Sequence, residues 1–254
     1  MTTDHTVLVF EDRTSLTEAV AMRFLEVIGS VLSSREETNV VLTGGTVGIA
    51  VLEAINRSAR RDSIDWQRVN LWWGDERWLP RGHADRNDTQ AKAALLDHVD
   101  LAPHRVHYFG APDGSKNGSD QGLDAAAAEY AGELAAAGAG GALPRFDLTF
   151  LGLGPDAHVA SLFPAREGIL EQQASVIAVR NSPKPPPERL SLTLPVLNTS
   201  ERIWLTVAGA DKAAAVASSL SGADATVAPG SAVRGREETV FFLDQAAVSA
   251  VPPA

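Results

Sequence analysis

Residues 39–46 read Asn-Val-Val-Leu-Thr-Gly-Gly-Thr, a short apolar run that ends in two glycines. Apolar runs that lead into glycine recur at 146–154 (FDLTFLGLG) and at 202–209 (RIWLTVAG). Runs with so few polar residues are typical of strands that are covered on both faces, as in a mainly parallel sheet. Ligands of such sheets bind beyond the carboxyl ends of the strands, so the residues after each run are where a functional site is expected.

Ala-rich amphipathic stretches separate these runs, which predicts alternating strands and helices. Strands are predicted at 6–10, 39–43, 69–73, 106–109, 146–151, 175–179, 189–194, 203–207 and 239–243, and helices at 15–32, 46–58, 88–98, 123–137 and 211–220. No linker or repeat divides the chain, and the Gly/Ala-rich stretch 138–142 is short enough to be a surface loop. We therefore expect one α/β domain over residues 1–254, a mainly parallel sheet with helices on both faces.

Composition limits the class of protein. The chain has 254 residues, 44% of them hydrophobic, and its 22 Lys and Arg against 32 Asp and Glu give a net charge of −10. The length and apolar content are ordinary for a soluble globular protein, and the acidic balance argues against a nucleic-acid partner. The absence of Cys excludes disulfides, thiolate zinc sites and Cys nucleophiles. No stretch has the pattern of a secretory signal or a membrane span, so we expect a cytoplasmic protein without a membrane partner.

Two strand ends carry candidate anion-binding residues. At Thr43-Gly44-Gly45-Thr46 the glycines let the backbone approach a ligand, and the helix that follows offers free N–H groups. The alternative is a tight turn in which Thr46 caps the helix. At 72–80, WWGDERWLP, Asp75 and Arg77 follow a strand among three tryptophans. That setting favours an Arg that grips a phosphate or carboxylate, and the alternative is an exposed ion pair.

The block at 151–164, LGLGPDAHVASLFP, holds the strongest candidate for a general base. His158 lies in a glycine-rich turn after a buried strand, two residues beyond Asp156, whereas His83, His98, His104 and His107 are expected at the surface. A nearby carboxylate orients an imidazole and stabilises its cation. The Asp-x-His pair supplies too few ligands for a metal site, and Ser161 lacks the surroundings of a nucleophile.

The segment at 181–189, NSPKPPPER, places Lys184 among four prolines. Lysine is scarce here, at four of the 22 cationic residues. Proline-rich segments are commonly spacers or partner ligands, but this one is brief and lies between two predicted strands. It therefore favours a rigidly held cation beside an anionic substrate.

With these segments the chain resembles the 6-phosphogluconolactonase family, the lactone hydrolases of the oxidative pentose phosphate pathway. The resemblance spans nearly the whole chain and rests on four ordered blocks, at 43–46, 72–80, 151–164 and 182–198, the last followed by VAGADKAAAV. It implies a fold like those of glucosamine-6-phosphate deaminases and ribose-5-phosphate isomerases. It also implies a phosphorylated sugar lactone as the small-molecule substrate, no cofactor and no metal. We expect a monomer or weak oligomer.

Carried over residue by residue, the resemblance implies roles for eight residues. His158 resembles the base that activates water, with Asp156 supporting it. The residues that resemble the substrate-binding set are Gly44, Gly45, Thr46, Asp75, Arg77 and Lys184, of which Arg77 and Lys184 would hold the phosphate. Ala157 departs from the glycine usual in the family, and its methyl group would restrict the turn if φ is positive there.

Two other functions remain open on the sequence. A sugar-phosphate isomerase or deaminase on the same scaffold would also use a Gly-Gly turn and an Asp-x-His block, but it needs an enolising carboxylate. A non-catalytic sugar-phosphate sensor would keep the pocket without needing the base. In each case a doubly negative substrate must enter a protein of net charge −10, so Arg77, Lys184 and other cations are expected to converge in a locally positive pocket.

Overall fold

A computed structural model describes residues 5–112, 120–138, 140 and 142–251 of the chain, so residues 139 and 141 of the predicted loop at 138–142 lie outside the described part. The strands of this part are β1 Thr6–Phe10, β2 Thr38–Leu42, β3 Val69–Trp73, β4 Asp75–Arg77, β5 Leu148–Leu151, β6 Val176–Val179, β7 Arg189–Leu192, β8 Arg202–Val207 and β9 Glu238–Asp244. Its α-helices are α1 Arg13–Ser34, α2 Gly45–Arg57, α3 Asn87–Ala94, α4 Asp120–Ala137, α5 Leu194–Leu197 and α6 Ala213–Leu220.

Six strands form one parallel sheet in the order β1-β9-β8-β5-β2-β3, flanked by helices. Every residue of β2 and of β5 is buried, as their apolar sequences predict for strands covered on both faces. The predicted fold class is therefore confirmed. Val41 of β2 pairs with Trp72 of β3 and with Thr149 of β5, so the carboxyl ends of these neighbouring strands lie side by side.

A second, antiparallel sheet of order β4-β7-β6 holds the predicted strands at 175–179 and 189–194. Gly74 joins the two sheets: its N–H donates to Leu42 O at 3.0 Å, and its carbonyl accepts from Leu192 N at 2.8 Å. The chain thus leaves the parallel sheet directly after β3 and pairs with β7. The three-residue strand β4 has no apolar alternation and was not predicted.

The predicted helix boundaries shift where side chains cap them. Helix α1 begins at Arg13 rather than Ser15 because Asp12 Oδ1 accepts from Ser15 N at 2.8 Å and Ser15 Oγ accepts from Asp12 N at 3.1 Å. The helix predicted at 88–98 ends at Ala94 and is followed by a separate 3₁₀ turn at Leu96–His98.

One predicted strand is wrong. Residues 106–109 form a single parallel bridge, from Val106 to Leu71, and no ladder. Their side chains pack instead: the His107 ring stacks on Trp72 at 3.6 Å between centroids, and Phe109 stacks on Tyr130 at 3.7 Å. The apolar run therefore marks packing rather than a strand.

None of the helices in the described part of the chain has an apolar stretch long enough to span a lipid bilayer.

Candidate active site

A cavity of about 520 Å³ opens at the carboxyl ends of β2, β5 and β8. Seven of the eight residues that the sequence singled out line it, namely Gly44, Gly45, Thr46, Asp75, Arg77, His158 and Lys184. The eighth, Asp156, is not part of the lining but contacts the His158 side chain. The structure thus brings together residues that are up to 140 positions apart in the sequence.

His158 and Asp156 form a close polar pair at the cavity. His158 Nδ1 lies 2.5 Å from Asp156 Oδ1, and the two side chains are 14% and 35% exposed. Because a carboxylate only accepts hydrogen bonds, Nδ1 carries the proton and Nε2 keeps a free lone pair. Burial raises the pKa of Asp156, but the hydrogen bond and charge of His158 and the charge of Lys184 outweigh it and lower this pKa to about 2. Asp156 is therefore ionised at neutral pH.

The turn that presents His158 has a strained residue. Ala157 has a φ of +64°, the left-handed conformation that glycine adopts most easily. Its backbone is held by two hydrogen bonds, from Ala157 N to Gly154 O at 2.9 Å and from Gly230 N to Ala157 O at 3.0 Å. The sequence predicted that the Ala157 methyl group would restrict the turn if φ is positive, and φ is positive.

Lys184 also approaches Asp156. Its Nζ lies 3.8 Å from the same Oδ1 atom that His158 contacts. Burial lowers the pKa of Lys184, and the nearby Lys212 and Arg189 lower it further, while Asp156 and Asp211 raise it. One carboxylate oxygen thus links a candidate base to a candidate substrate-binding cation.

The segment Asp75-Glu76-Arg77 divides between two faces because it forms strand β4, in which side chains alternate. Asp75 and Arg77 line the cavity. Glu76 points the other way and is 1% exposed, and its carboxylate accepts from Asn87 N at 2.7 Å and Asp88 N at 2.8 Å. It caps α3, so only two of the three charged residues face the cavity.

Arg77 and Asp75 differ in how many hydrogen-bond partners their side chains have within the protein. Arg77 donates from Nη1 to Asp85 O at 2.5 Å, but its Nε is buried without a hydrogen-bond partner among the described residues. Asp75 Oδ2 accepts from Ser161 Oγ at 2.7 Å and lies 4.0 Å from Arg189 Nη1. Its backbone carbonyl accepts from Asn87 Nδ2 at 2.8 Å. Arg77 is thus open to a ligand, whereas Asp75 is largely engaged by the protein.

The Gly-Gly turn begins α2, with Gly44 as its N-cap and no side-chain capping bond. Thr46 lies inside the helix, so the alternative in which Thr46 is the cap is wrong. Gly45 has a φ of +80°. A Cβ on Gly44 would lie 1.8 Å from Asn87 Oδ1, so Asn87 packs directly against the turn. Gly45 and Thr46, the first residues of α2, line the cavity, and the unpaired N–H groups of a helix start can bind an anion.

Sequence reasoning gave no role to six further lining residues: Arg13, Asn87, Arg189, Thr206, Asp211 and Lys212. Lys212 had a usable signal, since it is one of the four lysines and lies in the VAGADKAAAV segment. Thr206 Oγ1 is buried and has no hydrogen-bond partner within the described part of the chain. Among the histidines, His107 is half-buried on Trp72, so its predicted surface position is wrong.

Comparison with known proteins assigns the family. A profile of the family described as glucosamine-6-phosphate isomerases/6-phosphogluconolactonase matches residues 11–242. The chain belongs to this family. Within it, the chain is 49% identical over 249 residues to a 6-phosphogluconolactonase of Streptomyces coelicolor, covering 97% of this chain and 94% of that protein. It is 42% identical over 245 residues to a 6-phosphogluconolactonase of Mycobacterium tuberculosis, covering 96% and 97%.

Solved structures of the family agree with the fold. The crystal structure of 6-phosphogluconolactonase from Thermotoga maritima has a TM-score of 0.80 at 26% identity and covers 95% of this chain and 100% of its own. A monomeric glucosamine-6-phosphate deaminase has a TM-score of 0.77 at 19% identity and covers 96% and 99%. The second likeness shows a shared fold, as the resemblance implied.

Proposed function

We propose that this protein hydrolyses 6-phospho-D-glucono-1,5-lactone to 6-phospho-D-gluconate in the oxidative pentose phosphate pathway, in the cytoplasm and as a single domain over residues 1–254. The observation that carries the proposal is the His158–Asp156 pair, at 2.5 Å, beside a cavity lined by five cationic side chains. The relatives named 6-phosphogluconolactonase, at up to 49% identity, support the choice of substrate.

In the proposed reaction a water molecule attacks C1 of the lactone while His158 Nε2 takes its proton. The carbonyl electron pair moves to oxygen and forms a tetrahedral oxyanion. When this intermediate collapses, the bond from C1 to the ring oxygen breaks, and the imidazolium returns the proton to that oxygen. A positioned base of this kind is typically worth about 10²–10⁴-fold in rate.

Asp156 supports the base in two ways. It holds the Nδ1–H tautomer, which leaves Nε2 free, and it stabilises the imidazolium by its negative charge. Because its pKa is about 2, it stays ionised throughout the neutral range. The proposed chemistry needs no covalent intermediate and uses no cofactor or metal.

The cations and the Gly-Gly turn hold the phosphate in this proposal. Arg77, with its unpaired Nε, and Lys184 supply charge, and Gly44, Gly45 and Thr46 supply backbone donors at the start of α2. Asp75 faces the sugar from β4. The substrate is the only partner proposed, with no role for nucleic acid or a membrane, and the protein acts as a monomer or weak oligomer.

An isomerase or deaminase activity is the second candidate. It requires a carboxylate that removes a proton from carbon, and Asp75, the first residue of β4, places a carboxylate on the cavity wall. Its Oδ2 already accepts from Ser161 and lies near Arg189. Protein groups therefore already occupy this carboxylate oxygen, which favours the lactonase.

The test generates the lactone in place from glucose 6-phosphate and its dehydrogenase, and compares acid release with the spontaneous rate. We expect the pure protein to accelerate acid release strongly. We expect His158→Ala to lower kcat by about 100-fold or more, the usual contribution of a general base. His98→Ala, at an exposed histidine, is the matched control. No acceleration by the wild-type protein would rule out the lactonase, and ammonia release from glucosamine 6-phosphate would support the deaminase.

A further inference from the structure

Arg189 contacts several segments of the candidate site at once. It lies at the start of β7, its side chain is 6% exposed, and it lines the cavity. An arginine is rarely buried this far without a set of fixed acceptors. Its acceptors and neighbours belong to three separate segments of the site.

The first set of contacts holds the segment that carries Lys184. Arg189 Nη2 donates to Lys184 O at 3.2 Å and to Pro185 O at 3.0 Å, and Nε donates to Pro186 O at 3.2 Å. The three prolines at 185–187 have no N–H, so this segment cannot form a regular ladder, and the Arg189 side chain supplies the donors for these three carbonyls. The guanidinium therefore fixes the backbone directly beneath the Lys184 side chain.

The second set of contacts leads to β4 and to the base. Arg189 Nη1 lies 4.0 Å from Asp75 Oδ2, which joins the arginine to the end of the parallel sheet. Its Cζ atom lies 5.8 Å from the centre of the Phe163 ring. The same ring lies 4.6 Å from the His158 ring. Arg189 thus contacts His158 through one intervening side chain.

We propose that Arg189 is a positioning residue that fixes Lys184 and His158 relative to each other. The inference rests on the proposed lactone hydrolysis. Arginine suits this role because its planar fork presents five donors in fixed directions, whereas a lysine ammonium cannot hold the three carbonyls in this geometry and keep the guanidinium contact with Phe163. Its Nε and Nη2 donate to protein carbonyls and its Nη1 faces the Asp75 carboxylate, so the role proposed for it is exerted through Lys184 and His158.

The main test is Arg189→Lys, which keeps the charge and removes the fork. We expect kcat to fall and KM to rise, with kcat/KM lower by about 10- to 100-fold, because a displacement of about 1 Å in a catalytic site can cost about 100-fold. Binding of 6-phosphogluconate, measured by calorimetry, should weaken in parallel. Unchanged kcat and KM in Arg189→Lys would overturn the inference.

Arg68→Lys is the matched control. Arg68 also donates to three backbone carbonyls, those of Glu36, Leu32 and Arg35. It directly precedes β3, however, at the amino ends of the strands and not at the carboxyl ends where the cavity lies. Both variants should lose similar thermal stability, and only Arg189→Lys should change the kinetics. Equal kinetic losses in the two variants would mean that Arg189 is merely structural, and would overturn the proposal.

Phe163→Leu tests the path to His158 separately, and does so even if Arg189→Lys fails to fold. We expect a lower kcat with KM within about twofold, since the Phe163 ring contacts His158, and Lys184 should stay in place. Phe109→Leu, at an equally buried ring stacked on Tyr130, is the control. An unchanged kcat in Phe163→Leu would overturn this path. An inactive wild-type protein would instead overturn the proposed function, and the inference with it.

Discussion

A single carboxylate oxygen, Asp156 Oδ1, organises the candidate site at the scale of residues. It lies 2.5 Å from His158 Nδ1 and 3.8 Å from Lys184 Nζ. The short contact sets the tautomer of His158, and the longer one draws the Lys184 ammonium towards Asp156. Orientation of the proposed base and placement of a cation therefore depend on the same atom.

Ala157 should be a site where glycine stabilises the protein. The left-handed φ of +64° costs an alanine about 1 kcal/mol or more, which exceeds the extra entropy that glycine loses on folding. We expect Ala157→Gly to raise the free energy of unfolding by up to about 1 kcal/mol. Urea denaturation measures this. Ala215→Gly, equally buried but helical, should lower it, and a loss in both variants would contradict the explanation.

His107 should make the protein less stable in mild acid. Burial, helped by the charges of His104 and Arg105 and opposed by that of Glu37, lowers the pKa of His107 from 6.5 to about 4. Between these two pH values the unfolded chain binds a proton that the folded chain does not, so stability falls as the pH falls. His107→Phe keeps a ring on Trp72 and removes this slope, about 1 kcal/mol per pH unit.

Thermal unfolding at several pH values between about 6.5 and 4 checks this linkage. The melting temperature of His107→Phe should fall less steeply than that of the wild-type protein. His98→Gln, at an exposed histidine, should follow the wild-type curve. Identical slopes in all three proteins would mean that another group causes the acid sensitivity.

At the scale of elements, the cap of α3 determines which charges reach the cavity. Glu76 accepts the first N–H groups of α3, and burial raises its pKa to about 7 against the opposing effect of Arg86. Arg86 is fully buried and donates to Asp88 Oδ2 at 2.7 Å, which completes the cluster. This arrangement fixes Asn87 at the start of α3, where its side chain meets both Asp75 and Gly44.

Gly44 is therefore required by packing as well as by any ligand. A Cβ at this position would lie 1.8 Å from Asn87 Oδ1, and Asn87 is 1% exposed and held by Asp75 O. We expect Gly44→Ala to lower the free energy of unfolding by about 1–3 kcal/mol through overpacking. Gly132→Ala is the control: Gly132 is exposed on α4 and nothing lies within 4 Å of its added Cβ, so it should raise stability by about 0.5–1 kcal/mol. Equal effects of the two substitutions would rule out the clash.

At the scale of the whole molecule, the sheet order links the two ends of the chain. Among the described strands β1 pairs with β9 alone, and β5 lies between β2 and β8, so distant parts of the chain complete one sheet. The proposed single domain should therefore unfold in one cooperative step. Calorimetric and van't Hoff enthalpies should agree, and tryptophan fluorescence and far-ultraviolet dichroism should change together. Two separated transitions would indicate two units.

Local charge and total charge have opposite signs in this protein. The net charge is −10, yet the cavity is lined by five cationic side chains, Arg13, Arg77, Lys184, Arg189 and Lys212, and by two carboxylates, Asp75 and Asp211. Charges beyond about 8 Å are largely screened at physiological salt, so an anion in the cavity responds to the local cations. The proposed phosphate site is consistent with an acidic protein for this reason.

The sequence alone determined the strand-turn-helix pattern, because apolar runs and glycines act locally. It also pointed to the candidate residues at strand ends, since parallel strands bring their carboxyl ends together. What it missed depends on partners far along the chain. Only the tertiary structure determined that Glu76 points away from the cavity and that Asn87 packs on Gly44. It also determined that Lys212 lines the cavity and that Arg189 contacts three segments. Hydrophobic periodicity reports which face of an element is buried, but hydrogen bonds between segments depend on distances that only the folded chain sets.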